Sequence, residues 1–496
     1  MTAAVLAILL VIAGPARLAE PELEREPAVA GRFYPLDPAA IGAAVDRLLE
    51  KAKRPALSGS LAALLVPHAG IEFSGEAAAA AYRAFEPGDF DTIILIGTGH
   101  HVPVEGAALY PGPYATPLGR MAYDAEAAKV LLESPFIRAM PEAHRAEHSI
   151  EVQVPFLVRR FPAMKLVALV MNSEELAPAL GVGAALARAA RGRKVLLAAS
   201  SDLSHYPPGE VADKVDRTTL AALETLDPAF FWSANRFLMN RRLPDLRCTY
   251  CGEGAVTSML AAARELGANR TRLLSRYNSG DAISEHIYRS VVGYAAVALV
   301  RDPKAAPRPV YDLTDADRRA LLAQARESLR RKLSGEPADP AELSERPAFN
   351  LPAAVFVTLH APPGKTLRGC IGTTAPHGSL LEGVRRFAVA AGFEDSRFKP
   401  LEAAELSGLR LEISILSPPA PVQGPSEVRP GRHGVILERG GKSGLFLPQV
   451  WEQLPDKKDF LAELCSQKAG LPRDCAWDRD TRLSVFTVES FEERPD

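Results

Sequence analysis

Residues 61–70 read LAALLVPHAG, a short apolar run that ends abruptly in a loop carrying His68. The pattern recurs in residues 92–101, TIILIGTGHH, and in residues 194–205, KVLLAASSDLSH. Runs of this length, rich in Leu, Ile and Val and bounded by Gly or Pro, are typical of strands buried on both faces of a parallel sheet. The sequence therefore predicts three such strands, at Leu61–Val66, Thr92–Ile96 and Lys194–Ala199.

The loops after these strands carry the candidate chemistry. In open α/β sheets the ligand site lies beyond the carboxyl ends of the strands. A single histidine after a strand is more often a loop hydrogen bonder than a ligand, but three such loops on one sheet edge favour a metal or acid–base site. The candidate side chains there are His68, His100, His101, Asp202 and His205. We expect His144 and His286 to be surface residues.

Two further segments could contribute to the same site. Glu147 and His148 open the string EHSIE, and Cys248 and Cys251 form the string CTYCG. Imidazole nitrogen and thiolate sulfur suit zinc, copper or iron, whereas carboxylates alone would favour magnesium or calcium. A lone CxxC is weak evidence for a zinc knuckle or a redox pair. One of the two cysteines could instead be a ligand while the other packs.

The length of 496 residues predicts two or three domains. Strands that alternate with helical segments predict a first α/β domain over residues 27–301, with helices on both faces of its sheet. Residues 302–310 contain three prolines and are typical of a linker. Residues 311–490 group strands after a helix, which predicts a smaller α+β domain. We expect the two halves to fold independently.

Capping and turn residues predict the positions of two helices and a hairpin. Asp37 is suited to cap a helix whose Ile41, Val45, Leu48 and Leu49 share one face. Thr314 is suited to cap a second helix that buries Leu321, Leu322, Ala325 and Leu329 and ends at Gly335. Residues 434–447 predict a hairpin, in which Gly440 and Gly441 supply the turn.

Composition and the N-terminal sequence limit the possible functions and cellular locations. A formal net charge of -2 offers no electrostatic footprint for nucleic acid. Five cysteines are too few for a disulfide framework. The uncharged stretch Ala3–Ala13 is shorter than the ~20 residues that span a bilayer. Residues 1–26 are therefore interpreted either as a signal peptide or anchor with its joint, although a basic flank is missing, or as a frayed helix of a cytoplasmic protein.

Five strings of the first domain, in order, carry a family resemblance: PHAG, GTGHH, EHSIEVQVPF, SSDLSHY and CTYCG. Over about residues 27–300 the chain resembles the Memo family, called the AmmeMemoRadiSam system protein B in bacteria and archaea. That family is similar to class III extradiol dioxygenases, which are non-haem iron enzymes of α/β architecture. The resemblance implies the same fold here.

The resemblance also implies roles for individual residues. His68, His100 and Cys251 fall on the metal-site positions of the family, and Asp202 and His205 fall on its neighbouring polar pair. His205 would transfer a proton and Asp202 would orient it. His101, Glu147 and His148 would bind substrate or support the ligands. A thiolate replaces the carboxylate of the dioxygenases, which argues against ring-opening dioxygenation. One transition metal, iron or copper rather than zinc, is expected.

The second domain has its own distinctive string, LRGCIG, at residues 367–372. Cys370 lies beside Arg368, which could lower the pKa of its thiol and make it a nucleophile. The alternative, which we prefer, is that Cys370 packs as a small apolar residue while the glycines make a tight turn. The charged residues of the string EDSRF, at 394–398, could face the same cleft.

LRGCIG, FEDSRFKPL, LEISILSP and GLFLPQV occur in this order over about residues 311–490. They resemble the AMMECR family, the AmmeMemoRadiSam system protein A, whose activity is not established. The family name implies a radical SAM protein as a partner, and this chain lacks the CxxxCxxC motif of such an enzyme. Two functions remain open: metal-dependent redox chemistry on a small-molecule or peptide substrate, or a non-catalytic module that binds a ligand or peptide in the same pocket.

Overall fold

The structure is a computed structural model that describes residues 23–283, 288–306, 308–339, 342–363 and 365–493. The apolar N-terminal stretch and His286 lie outside the described residues. Among the described residues, no helix combines the length and the apolar character needed to cross a membrane.

The first half alternates strands and helices. Its strands are β1 (Ser60–Val66), β2 (Thr92–Thr98), β3 (Ala107–Leu109), β4 (Tyr114–Thr116), β5 (Gly119–Tyr123), β6 (Ile137–Ala139), β7 (Lys165–Met171), β8 (Val195–Ser200), β9 (Arg270–Asn278) and β10 (Gly293–Arg301). Its helices are α1 (Pro38–Lys51), α2 (Ile71–Tyr82), α3 (Ala125–Leu132), α4 (Pro141–His144), α5 (Val154–Arg160), α6 (Leu176–Ala190), α7 (Gly209–Glu224), α8 (Pro228–Asn240), α9 (Glu253–Glu265) and α10 (Ser279–Ala282).

These strands form one mixed sheet in the order β4-β5-β7-β2-β8-β1-β10-β9, with β3 and β6 beside β7. The strands β7, β2, β8 and β1 are parallel neighbours. β10 pairs antiparallel with β1, and β9 pairs antiparallel with β10. In the register, Ser200 of β8 lies between Val66 of β1 and Gly97 of β2. The three predicted strands are therefore adjacent, and their loops begin at the same level.

Alternate residues of the central strands pack on opposite faces of the sheet. Ile94 and Ile96 belong to a core formed with α3, α6 and α9, whereas Ile93 and Leu95 belong to a core formed with α1, α2 and α5. This is the α/β arrangement with helices on both faces that the sequence predicts. It arises because side chains alternate along a strand and both faces of these strands are apolar.

The second half is a smaller α+β unit, as predicted. Its helices are α11 (Asp315–Ser334), α12 (Pro347–Asn350), α13 (Leu380–Phe393) and α14 (Lys457–Glu463). Its strands are β11 (Ala354–Ala361), β12 (Thr366–Gly372), β13 (Arg410–Leu416), β14 (Ala420–Val422), β15 (Gly434–Arg439), β16 (Lys442–Phe446), β17 (Arg482–Phe486) and β18 (Val488–Glu492). They form two antiparallel sheets, β12-β11-β13-β18 and β14-β17-β15-β16.

The predicted caps and the hairpin are confirmed. The Asp37 side chain caps α1, and Thr314 caps α11 through a capping box. Gly335, in the left-handed conformation, ends α11. The four residues predicted to be buried on α11 are its buried residues. Gly440 and Gly441 join β15 to β16 with φ angles of 55° and 77°.

The two halves contact one another. The Tyr311 ring lies 6.2 Å from the Phe230 ring of α8, and the Tyr311 hydroxyl donates to the carbonyl of Pro352. Residues of both halves belong to one continuous apolar core. Independent folding of the two halves stays a prediction. Because the halves share this core, we expect each half to be less stable alone than in the full-length chain.

The glycines of LRGCIG lie in β12, not in a turn, so the predicted tight turn is wrong. Glycine is required at both positions because neighbouring segments pack directly against the backbone. A Cβ on Gly369 would lie 2.0 Å from the carbonyl oxygen of Ala391, and one on Gly372 would lie 2.3 Å from Cγ of Phe356. One disulfide joins Cys465 to Cys475, and the described free thiols belong to Cys248, Cys251 and Cys370.

We expect Gly372→Ala to lower the free energy of unfolding by roughly 1–3 kcal/mol, because the added methyl overpacks the site. Urea denaturation measures the change. Gly424→Ala is the matched control, since nothing lies within 4 Å of a Cβ there and its backbone is extended. Cys370→Ser should change stability less than Gly372→Ala does. Wild-type stability in Gly372→Ala would contradict this packing.

Candidate functional site

His68, His100 and Cys251 meet beyond the carboxyl ends of β1, β8 and β2. The Cys251 Sγ lies 3.2 Å from Nε2 of His68. The His68 and His100 rings are 5.3 Å apart between centroids, and His100 is also within hydrogen-bonding reach of the Cys251 sulfur. His68 is 2% exposed. Two imidazoles and a thiol thus lie together, with His68 buried, Cys251 half-buried and His100 open to solvent.

The Ser200 hydroxyl fixes the orientation of the His68 ring. It donates to the carbonyl of Ser149 and accepts from Nε2 of Gln153, which leaves an acceptor for Nδ1 of His68 at 3.1 Å. The Gln153 amide is oriented in turn, because its Oε1 accepts from the Tyr82 hydroxyl. Nδ1 of His68 therefore carries a proton, and Nε2 is directed toward Cys251.

The buried carboxylate of Glu147 plays the same part for His100. Its Oε1 lies 2.9 Å from Nδ1 of His100 and accepts from the amides of His148 and Ser149, while its Oε2 accepts from the amide of His100. Burial raises the pKa of Glu147, but these hydrogen bonds and the charge of His100 hold it well below its usual range. Glu147 is therefore an anion committed to orienting His100.

The Cys251 thiol is adapted to ionise. Burial raises its pKa, but His68 and the hydrogen bond from His100 lower it well below its usual range. Cys251 also lies just before the N-terminus of α9, where the helix dipole favours negative charge. The next residue, Gly252, lets the chain approach closely, since a Cβ there would lie 2.7 Å from Cβ of Ser201.

His148 closes the site from the side of the loop that carries Glu147. Its ring stacks on His100 at 4.5 Å and lies 5.4 Å from His68. The ring nitrogens of these three histidines lie within 4.8 Å of one another. Burial and the neighbouring charge of His68 lower the pKa of His148 to about 3, so this ring is neutral. His101, by contrast, is exposed at the rim.

Asp202 and His205 lie beside the cluster. The Asp202 carboxylate is buried and accepts from the amide of His68 at 2.6 Å. The His205 Nδ1 lies 2.9 Å from the carbonyl of Leu203 and 3.3 Å from Sγ of Cys248. The ring of His205 is thus oriented by Leu203, whereas Asp202 positions the backbone of His68. Burial raises the pKa of Cys248, which therefore remains a thiol.

A buried ion pair anchors the loop that carries Glu147 and His148. The guanidinium of Arg25 pairs with the carboxylate of Glu151 and donates to the carbonyl of Glu147. Glu151 also accepts from the hydroxyl of Tyr34 at 2.6 Å. Removing one member of such a pair typically costs several kcal/mol, since the other charge stays buried. The segment around residue 25 is therefore part of the support of the site.

His144 is buried, and its prediction as a surface residue is wrong. Its side chain is fully enclosed, its Nδ1 accepts from the Tyr114 hydroxyl, and its Nε2 donates to the carbonyl of Ala108. Arg25 donates to the backbone carbonyl of His144. The hydrophilic sequence context gave no sign that these polar partners would enclose the ring.

In the second half, Cys370 faces a different cation from the one predicted. Arg368 pairs with Glu405, whereas Arg397 lies beside Cys370 and pairs with Asp395. The Asp395 carboxylate accepts from the amide of Cys370 at 2.9 Å, and Arg397 donates to the carbonyl of Cys370. Asp395 and Arg397 thus satisfy the outward-facing amide and carbonyl of Cys370 on β12, and this is the structural role of the string EDSRF. The hydroxyl of Thr358 donates to the Cys370 sulfur.

The fold and the site define a class: an α/β protein with two oriented imidazoles and an ionisable thiol at the carboxyl edge of its sheet. The family of Memo-like proteins matches residues 25–298, and the AMMECR1 family matches residues 322–491. The chain belongs to the Memo family, and an AMMECR1 domain follows its Memo half.

Two curated relatives agree with this assignment. A MEMO1 family protein of Methanococcoides burtonii is 36% identical over 278 residues, which cover 55% of this chain and 99% of the relative. One from Nitrosopumilus maritimus is 31% identical over 283 residues, 56% of this chain and 99% of the relative. The chain is also similar to the crystal structure of the uncharacterized protein PH0010 from Pyrococcus horikoshii, with 37% sequence identity and a TM-score of 0.32. The match covers 35% of this chain and 90% of that protein.

Sequence reasoning missed the residues that support the ligand candidates. Ser200 and Gln153 orient His68, and Phe33 lies 4.6 Å from the His148 ring. Ser200 and Gln153 lie within the strings SSDLSHY and EHSIEVQVPF, and their signal is a polar residue that ends or interrupts an apolar run. The distance in sequence between Phe33 and His148 left no comparable signal.

The buried His144 predicts a pH dependence of stability. Burial lowers its pKa to about 4, below about 6.5 for an exposed imidazole, so the folded protein binds fewer protons. The stabilisation is complete above pH 6.5 and is lost as the pH falls toward 4. Between pH 7 and 4.5, the wild-type free energy of unfolding should fall by about 2–3 kcal/mol more than that of His144→Gln.

Urea denaturation at the two pH values measures this difference. The exposed His377 provides the control, since His377→Gln should keep the wild-type pH dependence. Equal losses in the wild type and in His144→Gln would show that folding does not lower the pKa of His144, which contradicts its burial without a charge.

Proposed function

We propose that the Memo half holds one transition metal ion through His68, His100 and Cys251 and supports redox chemistry there. The observation that carries this proposal is the state of the three donor atoms: two imidazoles whose Nδ1 atoms are already engaged, and a thiol whose pKa is held low. Hydrogen bonds of this kind on the far ring nitrogen are typical of metal-bound histidines. Glu147 accepts four hydrogen bonds from nearby groups, which suits it to support rather than to coordination.

The donor set favours iron or copper over a hard cation. Imidazole and thiolate are borderline to soft ligands, and three protein ligands leave positions open for an exogenous molecule. When bound, such a metal supplies one-electron and oxygen chemistry. The neutral His148 ring would face the substrate, while Asp202 keeps the backbone of His68 in place.

The substrate would be a small molecule or a peptide end. A cleft of about 630 Å³ adjoins the site through Phe33, whose ring touches His148. Ile71 lines the apolar part of this cleft, and Arg47 and Glu72 lie at its polar part. As a member of a family named with a radical SAM protein, the chain would act with such a partner.

Metal analysis tests the proposal directly. Protein purified without oxygen should contain about one equivalent of iron or copper per chain, and His68→Ala or Cys251→Ser should remove it. Oxygen uptake by the metal-loaded protein would support redox catalysis. A folded protein that takes up no transition metal and binds peptides would instead favour a non-catalytic binding module.

Loss of the Ser200 hydroxyl should weaken metal binding by about 10–100-fold, because His68 loses the group that orients it. Competition with a chelator in Ser200→Ala and wild type measures the affinity. Ser490→Ala, an exposed serine of the second half, is the matched control. Unchanged affinity in Ser200→Ala would mean that packing alone orients His68.

A further inference from the structure

We propose that the AMMECR1 half holds the Cys251 thiol in place, by covering the loop that carries it. We call residues 242–252 the thiol loop. The loop joins α8 to α9 and belongs to the Memo half in sequence, yet its two leucines pack against a small core to which the second half contributes. The docked AMMECR1 domain is thus an interaction surface that controls the position of a candidate ligand.

The thiol loop has a backbone that needs external support. Arg242 and Asp245 have φ angles of 52° and 55°, in the left-handed region that residues other than glycine seldom adopt. Such residues persist where surrounding structure holds them. Contacts that the loop makes on either side therefore determine whether it keeps this shape.

Leu343 of the second half supplies the apolar part of that support. It is 8% exposed and shares a small core with Val215 and Leu238 of α7 and α8. Leu243 and Leu246 of the thiol loop pack against this same core. Since the second half contributes a central side chain, its departure would expose the loop leucines to water.

An ion pair fixes the residue that precedes the thiol loop. The Arg241 Nη1 lies 2.7 Å from Oε1 of Glu382, and the Arg241 side chain is only 11% exposed. Glu382 is held in turn at the N-terminus of α13, where it forms a capping box with Ser379. A helix end of the AMMECR1 half thus holds the side chain of the C-cap residue of α8.

Two polar contacts beside the loop show that the halves are docked and not merely close. The buried Asn350 Nδ2 donates to the hydroxyl of Thr218 on α7 at 3.1 Å. Lys214 pairs with Glu345 at 3.0 Å. Both contacts join the segment around Leu343 to α7, so this segment of the second half is held against the helix that shares its core with the thiol loop.

The other end of the thiol loop reaches the site itself. The amide of Arg247 donates to the carbonyl of His205, and the amide of His205 donates to the carbonyl of Cys248. The amide of Cys251 donates to the carbonyl of Asp202 at 3.2 Å. Cys251 and the outer part of the loop thus belong to one backbone segment that is tied to Asp202 and His205, so a displaced loop would strain the bonds that hold Cys251.

The test measures access to the Cys251 thiol in the full-length, metal-free protein. Iodoacetamide modification of Cys251 is followed by peptide mass spectrometry, with Cys370 as the internal reference. Leu343→Ala and Glu382→Gln should each raise the rate at Cys251 by about tenfold or more and leave the rate at Cys370 unchanged, because they allow the loop to open locally. Leu437→Ala is the matched control, since it truncates a buried leucine in a separate core of the second half.

An unchanged Cys251 rate in both variants would overturn the inference, and so would an equal rise in Leu437→Ala. Glu382→Gln keeps the side-chain shape and provides the test if Leu343→Ala lowers the folded fraction.

A cobalt(II) titration separates this inference from the proposed metal function, on which any effect of the loop on metal binding rests. If the proposed function holds, sulfur-to-cobalt charge-transfer absorption should appear in the wild type and weaken in Glu382→Gln. A wild type that binds no cobalt, together with faster Cys251 labelling in Glu382→Gln, would refute the metal function and uphold the loop contact.

Discussion

The parallel register of β1, β8 and β2 is the constraint on which the site depends. Because Val66, Ser200 and Gly97 lie at one level, the loops that follow them start together, and His68, Asp202 and His100 arrive within a few residues. An offset between neighbouring strands would separate the donors along the sheet edge. The apolar side chains on both faces fix this register, since a shift by one residue would exchange the residues that the two cores receive.

Buried charge then gives the site its precision. Three carboxylates lie near it, and each has a separate set of partners: Glu147 orients His100, Asp202 holds the amide of His68, and Glu151 pairs with Arg25. A buried carboxylate is costly unless its oxygens are hydrogen-bonded. The loops around the site are consequently tied to positions that satisfy these oxygens, which makes their geometry as well defined as that of the strands.

The strands, caps and hairpin could be predicted from sequence because apolar runs and capping residues act locally, as at Asp37 and Thr314. The meeting of His68 with His100 could be expected because the carboxyl ends of parallel strands lie at one edge of a sheet. Contacts between distant segments could not be predicted, because they depend on three-dimensional packing. Examples are the enclosure of His144 by Tyr114, the bond between Ser200 and Gln153, and the position of Arg397 and Asp395 beside Cys370. Cys251 was linked to the histidines through a family resemblance, because a lone CxxC does not specify its neighbours.

The pairing of Asp395 and Arg397 over Cys370 has a consequence for how this chain behaves in concentrated solution. β12 is the outer strand of its sheet, and an outer strand with unsatisfied amides can add a strand from another molecule. Here one carboxylate and one guanidinium occupy the amide and carbonyl of Cys370, where an incoming backbone would have to bind. Two adjoining charges thus make this edge a poor template for sheet growth between copies of the chain.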